Sequence, residues 1–307
     1  VQGQAPIAYN PNLTWELTDT YNAAIDYGFL NNRISGSIDF YLKKTTDLLF
    51  RAAQPAGTNF SATVLSNVGD MENKGVEFNL NAGVVRAKDF TWDANFNITY
   101  NKNKVTKLTA SADPKYKAPT YNIPDGGTTG ILIQAVGHPL GSFYIYRQVY
   151  DEAGKPIEGL YEDINRDGII NENDRYLSKT GVPDVIAGFS SNFTYKNWSA
   201  GFVLRGSFNN YVYNNVYSSK GIGSQVIGGY HPSNMSKNFS ETGFMTNQYL
   251  SDYYLENGSF VRMDNLNFGY NFGAIAKGKA NLRVNAMVQN VFIITKYKGL
   301  VPEVNTG

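Results

Sequence analysis

The chain has 307 residues, and its 27 basic residues nearly balance its 26 acidic ones. Because no run rich in Lys and Arg stands out either, the composition argues against nucleic acid as a partner. Cysteine is absent and aromatic residues make up 14% of the chain, which fits a large bacterial cell-surface protein without disulfides, and no apolar run approaches the ~20 residues of a membrane helix.

Apolar and polar residues alternate with period two along most of the chain, which predicts about nine β-strands. Phe143–Tyr150 is the weakest of these segments, because it is aromatic on both faces. In chain order the segments are Tyr21–Phe29, Arg33–Lys43, Val76–Val84, Trp92–Tyr100, Phe143–Tyr150, Ala187–Lys196, Ala200–Phe208, Leu266–Phe272 and Leu282–Asn290.

Short polar turns alternate with long connections between these segments. The turns Leu30–Arg33, Arg86–Asp89 and Lys196–Trp198 are of the hairpin type. This order predicts one antiparallel sheet with the short turns at one end and the long loops at the other, and no linker divides it into domains. The long connections are rich in Gly, Ser, Asn, Pro and Tyr and cover Arg51–Lys74, Leu108–Leu140, Asp151–Val185 and Tyr213–Leu255.

Two all-β folds produce this alternation, a soluble sandwich and a membrane barrel. The polar face here consists mostly of Asn, Ser, Thr, Asp and Gly rather than Lys and Glu. The apolar face carries aromatic residues near strand ends, such as Trp92 and Tyr100. Both features favour an antiparallel transmembrane β-barrel with short periplasmic turns and long extracellular loops.

One loop has the spacing of a twelve-residue calcium-binding loop. Oxygen-bearing side chains occupy its positions 1, 3, 5, 9 and 12, and a glycine occupies position 6. The alternative interpretation is a surface turn rich in Asp, Asn and Gly that needs no metal. A bound Ca²⁺ would stiffen a long external loop. The expected ligands are Asp163, Asn165, Asp167 and Asp174 through side-chain oxygens, Ile169 through its carbonyl, and Asn171 through a water molecule.

No set of residues indicates catalysis. His138 and His231 each stand beside a proline, cysteine is missing as a nucleophile, and no Gly-x-Ser-x-Gly motif lies between a strand and a helix. Tyrosines in the long connections could stack on sugars or peptides, although each is more often a packing residue. These tyrosines are Tyr116, Tyr121, Tyr211, Tyr213, Tyr217, Tyr230, Tyr249, Tyr253 and Tyr254.

Many short blocks, in the right order over nearly the whole chain, resemble the C-terminal barrel portion of SusC/RagA-type TonB-dependent outer-membrane transporters of Bacteroidota. No single block is decisive, and the match rests on their order. The blocks include Asn10–Glu16, Asn31–Tyr41, Lys44–Leu49, Asn67–Gly69, Asn73–Glu77, Phe90–Trp92, Gly137–Tyr144, Asp163–Asp174, Gly181–Pro183, Gly258–Met263, Gln289–Phe292 and Thr295–Val304.

The resemblance implies import of oligosaccharides or peptides across the outer membrane, without chemistry on the substrate. A SusD-like surface lipoprotein would capture the ligand, and TonB would act through an N-terminal plug. Barrels of this kind have about 22 strands, so residues 1–307 are expected to be the C-terminal portion only, without the plug, the early strands and the final strand. The alternatives are a passive outer-membrane porin and a soluble, calcium-stabilised glycan-binding β-sandwich.

Overall fold

The computed structural model describes residues 9–53, 61, 63–108, 116–122, 130–224 and 234–303. Its main element is a single antiparallel sheet of eight strands. In spatial order these strands are β1 (Leu17–Phe29), β2 (Ile34–Ala53), β3 (Thr63–Arg86), β4 (Phe90–Leu108), β11 (Val185–Tyr195), β12 (Trp198–Phe208), β15 (Phe260–Ile275) and β16 (Ala280–Thr295).

The remaining strands are short and pair outside this sheet. Short α-helices cover Asn215–Lys220 and Phe239–Thr242, and 3₁₀ turns occur at Glu172–Asp174, Asp252–Tyr254 and Ala276–Gly278. The short strands are β5 (Ala118–Asn122), β6 (Gly130–Gln134), β7 (Ser142–Tyr146), β8 (Gln148–Tyr150), β9 (Pro156–Tyr161), β10 (Arg175–Thr180), β13 (Tyr211–Tyr213) and β14 (Leu255–Asn257).

Eight of the predicted segments coincide with the eight strands of the main sheet, and only Arg33 and Lys196 at their ends lie one residue outside a strand. The segment Phe143–Tyr150 does not: it forms β7 and β8, which belong to two smaller sheets. Its pattern is aromatic on both faces because β7 is covered on both sides. The connection predicted at Arg51–Lys74 is also too long, since β2 continues to Ala53 and β3 already begins at Thr63.

The short turns lie together at one end of the main sheet, as the sequence predicted. Leu30, Asn31 and Asn32 have φ values of 55°, 57° and 60° between β1 and β2. Left-handed conformations of this kind match the twist of the strands that a tight hairpin joins. Lys196, with φ of 50°, has the same role between β11 and β12. The long connections therefore leave the sheet at its opposite end.

The two faces of the main sheet differ, and its apolar face is open. Ile25 on β1 and Val288 on β16 expose 61% and 55% of their surface. A sandwich would cover this face with a second sheet, so the sandwich alternative is wrong. Among the residues that the structure describes, no helix combines the length and apolar character needed to cross a membrane.

Candidate functional site

The described parts of the long connections fold into a compact body at the loop end of the sheet, which we call the cap (residues 116–122, 130–180, 209–224 and 234–259). A four-stranded sheet with the order β10-β7-β6-β5 forms its base. Ile131, Phe143, Ile145 and Leu250 form a buried core in it. Because Leu250 comes from the second connection, the two connections share one core and are expected to behave as one unit.

Gln148 is the polar hub between the two connections, and only 4% of it is exposed. Its side-chain amide donates to the carbonyl of Ile157 at 2.7 Å and to that of Leu160 at 3.1 Å. Its amide oxygen accepts from the hydroxyl of Ser251 at 2.7 Å. Its backbone N–H donates to the carboxylate of Asp252 at 2.9 Å. A buried amide with these partners ties the β8–β9 hairpin to the second connection.

A second tie joins the same hairpin to residues 245–248. The carboxylate of Glu158 accepts from the N–H of Thr246 at 2.7 Å and from that of Met245 at 3.1 Å. Burial acts to raise the pKa of Glu158, but these donors and the Thr246 hydroxyl lower it overall. The amide oxygen of Gln248 accepts from the N–H of Gly159 at 2.7 Å and from the hydroxyl of Tyr161 at 2.9 Å.

A charged network fastens residues 296–303 to the polar face of the sheet. Arg205 on β12 and Arg262 on β15 lie directly opposite each other. The carboxylate of Glu303 accepts from the guanidinium groups of both Arg205 and Arg262, and the distance to Arg262 is 2.9 Å. The carboxylate of Asp264 accepts from Arg205 at 3.0 Å. Both guanidinium groups also lie over the ring of Phe260. Two like charges placed face to face are destabilising, and the two carboxylates compensate for them.

The predicted calcium loop is a turn closed by its own backbone. The carboxylate of Asp163 accepts from the N–H of Gly168 at 2.7 Å and from that of Asp167 at 3.2 Å. Asn165 accepts from the N–H of Asp167 at 2.9 Å. Gly168 has φ of 82°, a conformation that favours glycine. The sixth position of the loop therefore has the sharp turn that such loops require.

Asp174 closes the loop from its other end and is fully buried. Its carboxylate accepts from the N–H groups of Asn171 at 2.8 Å, Ile164 at 3.0 Å and Asn165 at 3.3 Å. The donation from Asn171 contributes most to holding the pKa of Asp174 below its ordinary value, while burial acts in the opposite direction. The side chain is therefore charged at neutral pH.

The donor set of this loop has the hard oxygens that Ca²⁺ prefers. Its carboxylates already accept N–H bonds, but the oxygens of Asp163 and Asp167 each accept only one and keep a further lone pair. Ile169 is 65% exposed, and its carbonyl accepts from the side chain of Asn171. Among the residues that the structure describes, no group of three or more His, Asp or Glu side chains is arranged to hold a metal ion. The calcium site therefore stays a prediction.

The loop tyrosines pack against each other and against the cap core. Tyr254 is fully buried, and its ring meets those of Tyr253 at 5.0 Å and Tyr213 at 5.9 Å. Tyr211, Tyr213 and Tyr249 contact the cluster around Ile145. This contact favours the packing role over ligand stacking for these residues. Tyr230 and His231 lie outside the described residues.

The residues that tie the cap together carry no sequence motif. Their hydrogen-bond partners are distant in the sequence. Gln148 and Ser251 are 103 residues apart, and Glu158 and Thr246 are 88 residues apart. The sequence pattern gave only a weak indication of the role of Arg205, which is a charged residue on a polar face made mostly of small uncharged residues. It gave none for Glu303, the partner of Arg205.

Comparison with known proteins gives consistent results. A family model described as TonB dependent receptor-like, beta-barrel matches residues 1–291. The sequence is 45% identical over 312 residues to the TonB-dependent receptor SusC of Bacteroides thetaiotaomicron, and the match covers 98% of this chain and 31% of that protein. It is 31% identical over 320 residues to the TonB-dependent receptor P3 of Formosa agariphila, with 96% and 31% covered.

Among solved structures, the RagAB peptide transporter superposes with a TM-score of 0.75 at 25% sequence identity. The superposition covers 95% of this chain and 33% of the matched chain. The RagAB peptide importer in its open-open state superposes with a TM-score of 0.73. The present chain thus spans about a third of the length of the proteins that it matches.

Proposed function

The chain belongs to the TonB-dependent receptor-like β-barrel family, and on this basis we propose that it forms part of the wall and the outer cap of a nutrient importer. Proteins of this family lie in the outer membrane of Gram-negative bacteria and are receptors or transporters rather than enzymes. The main sheet, with its open apolar face, is the part that lies in this membrane. The cap lies on the extracellular side, where the long loops of such barrels are found.

The observation that carries the proposal is the combination of this sheet with an organised cap. A passive pore needs an open polar channel, whereas here two long connections share a core and are tied by Gln148, Glu158 and Gln248. An ordered cap of this kind suits the capture of one ligand class. The proposed ligands are oligosaccharides or peptides, and the RagAB structures are those of a peptide transporter.

The polar face of the sheet is rich in hydrogen-bonding groups, which suits a surface that faces a ligand or a plug domain. Asn79 on β3 lies opposite Asn97 on β4, and Asn81 lies opposite Asn95. Side-chain amides offer both donors and acceptors to hydroxyl and peptide groups. We include a SusD-like surface lipoprotein and TonB as partners, since the family resemblance implies both. TonB would act through the N-terminal plug that the family resemblance implies.

The full-length gene tests the proposal. Deletion should abolish growth or uptake on one class of oligosaccharide or peptide, and re-expression should restore it. Removal of TonB, or a proton uncoupler, should abolish the same uptake because energy reaches the barrel only through TonB. Uptake that persists without TonB would instead support a passive porin. Pull-down of the detergent-solubilised transporter should recover the lipoprotein in a stable complex.

We also propose that the loop Asp163–Asp174 binds Ca²⁺ as a structural ion. The spacing of its oxygen donors and the left-handed Gly168 support this. Calorimetric titration of the full-length protein should show a Ca²⁺ site that Asp163→Ala and Asp167→Ala remove. The matched control is Asp151→Ala, because Asp151 also accepts two backbone N–H bonds in a turn, from Ala153 and Lys155. Equal Ca²⁺ binding by all of these proteins would refute the metal site.

A further inference from the structure

The outward face of the sheet changes character abruptly on its loop side. On β4 the outward residues from Phe90 to Tyr100 are apolar, and the next two outward positions are Lys102 and Lys104. The stretch from Phe90 to Tyr100 rises roughly 34 Å, or roughly 26 Å along the membrane normal at the ~40° tilt usual in such barrels. That height matches the ~25 Å apolar band of outer-membrane barrels.

The same change occurs at the same height on β3 and one row further out on β2, where Leu42 lies opposite Lys74. Phe40 on β2 and Val76 on β3 lie in one row with Tyr100. One row further out, Lys74 lies directly opposite Lys102. In the next row Glu72 lies between two lysines, which are Lys44 on β2 and Lys104 on β4. The rows therefore place four lysines side by side just above the apolar band.

Three of these four lysines form no ion pair among the described residues. Lys44, Lys74 and Lys104 are exposed, and no ion pair among the described residues includes them. Lys102 is bound to Asp184.

The acidic residues nearby balance the charge of the three lysines only in part. Asp184 also accepts from Asn209, and Asp70 accepts from the N–H of Asp47. Glu72 and the exposed Asp19, which lies opposite Lys44, are the acidic groups left in these rows. Lys74 lies directly opposite Lys102, and of this like-charge pair only Lys102 has an acidic partner, so a further anion beside Lys74 would be favourable.

We propose that Lys44, Lys74 and Lys104 bind the phosphate of a lipid headgroup in the outer leaflet of the outer membrane. The site faces outward from the barrel, continues the lipid-facing surface, and lies at the level where headgroups begin. Tyr21 and Tyr100, which are 62% and 47% exposed, mark this interface, since tyrosine favours the boundary between acyl chains and water. This site is separate from the cap and from any import path.

The test uses the full-length transporter, purified in detergent and stripped of lipid. Native mass spectrometry would measure binding of phosphorylated lipid A and of the same lipid after enzymatic removal of its phosphate. We expect the wild type to retain the phosphorylated form. The triple variant Lys44→Ala, Lys74→Ala, Lys104→Ala should lose roughly fivefold in affinity for each lysine removed. The dephosphorylated lipid should bind both proteins equally weakly.

Control variants test whether lipid binding depends on these three lysines or only on the overall positive charge of the protein. Lys43→Ala should change lipid binding little, because Lys43 is next to Lys44 on β2 but lies on the opposite face of the sheet. There its ammonium lies over the ring of Tyr41. A triple variant at the turn end, Lys88→Ala, Lys277→Ala, Lys279→Ala, should retain the lipid, as should Lys→Arg changes at all three site positions. Equal lipid retention by the wild type and the site triple variant would overturn the proposal. So would complete displacement of the lipid by inorganic phosphate.

Discussion

The main sheet and the cap are both built from β-strands, but different forces hold them. The long strands expose an apolar face, as Ile25 and Val288 show, and the surrounding lipid covers it. The cap strands are short and are covered on both sides, so that Phe143 and Ile145 expose 5% and 0% of their surface. Alternation is therefore the signature of a strand whose two faces differ in environment, and a strand covered on both faces loses this signal.

The largest expected effect is the loss of a cap core side chain. Phe143→Ala should destabilise the cap by about 3–5 kcal/mol, because it removes a buried ring and leaves a cavity. Hydrogen exchange of the full-length protein should rise across β6, β7 and β10 while β2–β4 stay protected. The control is Phe268→Ala, whose ring is 53% exposed. If Phe143→Ala lowered the protection of β2–β4 as much as that of β6, β7 and β10, the cap would not be a separate unit.

The second effect concerns the lipid-facing side of the sheet. Leu80→Arg should destabilise the barrel by about 2–4 kcal/mol, because Leu80 lies opposite Phe96 near the middle of the apolar band and the change puts a charge on the lipid face. Its neighbour Asn79 lies on the opposite face, so Asn79→Arg should cost much less. Urea unfolding in lipid vesicles would measure both. Similar losses for the two variants would contradict the assignment of the faces.

The third effect concerns the polar tie within the cap. Gln148→Ala should cost about 1–3 kcal/mol, because the carbonyls of Ile157 and Leu160 and the hydroxyl of Ser251 would lose a buried partner. Limited proteolysis should then cut the β8–β9 hairpin faster. Asn247→Ala, a change at an exposed amide in the second connection, is the control. Unchanged cleavage in Gln148→Ala would mean that apolar packing alone holds the hairpin.

The fourth effect is smaller and depends on salt. Glu303→Gln should weaken the attachment of residues 296–303 by about 1 kcal/mol, since half-exposed ion pairs contribute little in water. Hydrogen exchange at residues 296–303 should rise, and the difference from wild type should shrink as salt screens the charges. If exchange stays the same at low salt, Arg205 and Arg262 do not hold this segment.

The smallest effect is a pH dependence at Asp174. Its pKa is lowered in the folded chain, so the carboxylate stabilises the loop above the ordinary Asp pKa of ~3.9. That contribution is lost as the pH falls through the lowered value. Proteolysis of residues 164–171 should therefore accelerate only in strong acid. Asp174→Asn should remove this pH dependence, and a wild-type loop insensitive to acid would argue against the role of Asp174.

Most of the barrel wall was predictable because its information is local. The eight alternating segments, the turns at Leu30–Arg33 and Lys196–Trp198, and the order of short and long connections all follow from neighbouring residues. The interpretation failed at Phe143–Tyr150, where pattern alone could not say which sheet the segment joins. It also placed the end of β2 too early, because the alternation fades where the strands leave the apolar band.

The site was predictable only in part. The spacing of Asp163, Asn165 and Asp167 indicated a tight loop, and the structure confirms the turn at Gly168 while the metal remains a prediction. Gln148, Glu158 and Arg205 could not be found in advance. Their partners are distant in the chain, and any buried amide or charge needs a partner without specifying which residue supplies it.

The sequence by itself determined the fold class, the direction of the strands, the outward and inward faces of the sheet, and the family resemblance. These depend on period-two patterning and on short turn motifs, which act between close neighbours. Only the tertiary structure decided how the two long connections share a core and where Glu303 docks. It also decided that Lys44, Lys74 and Lys104 stand in adjacent rows. Those arrangements depend on register and on contacts between distant residues, which no local pattern contains.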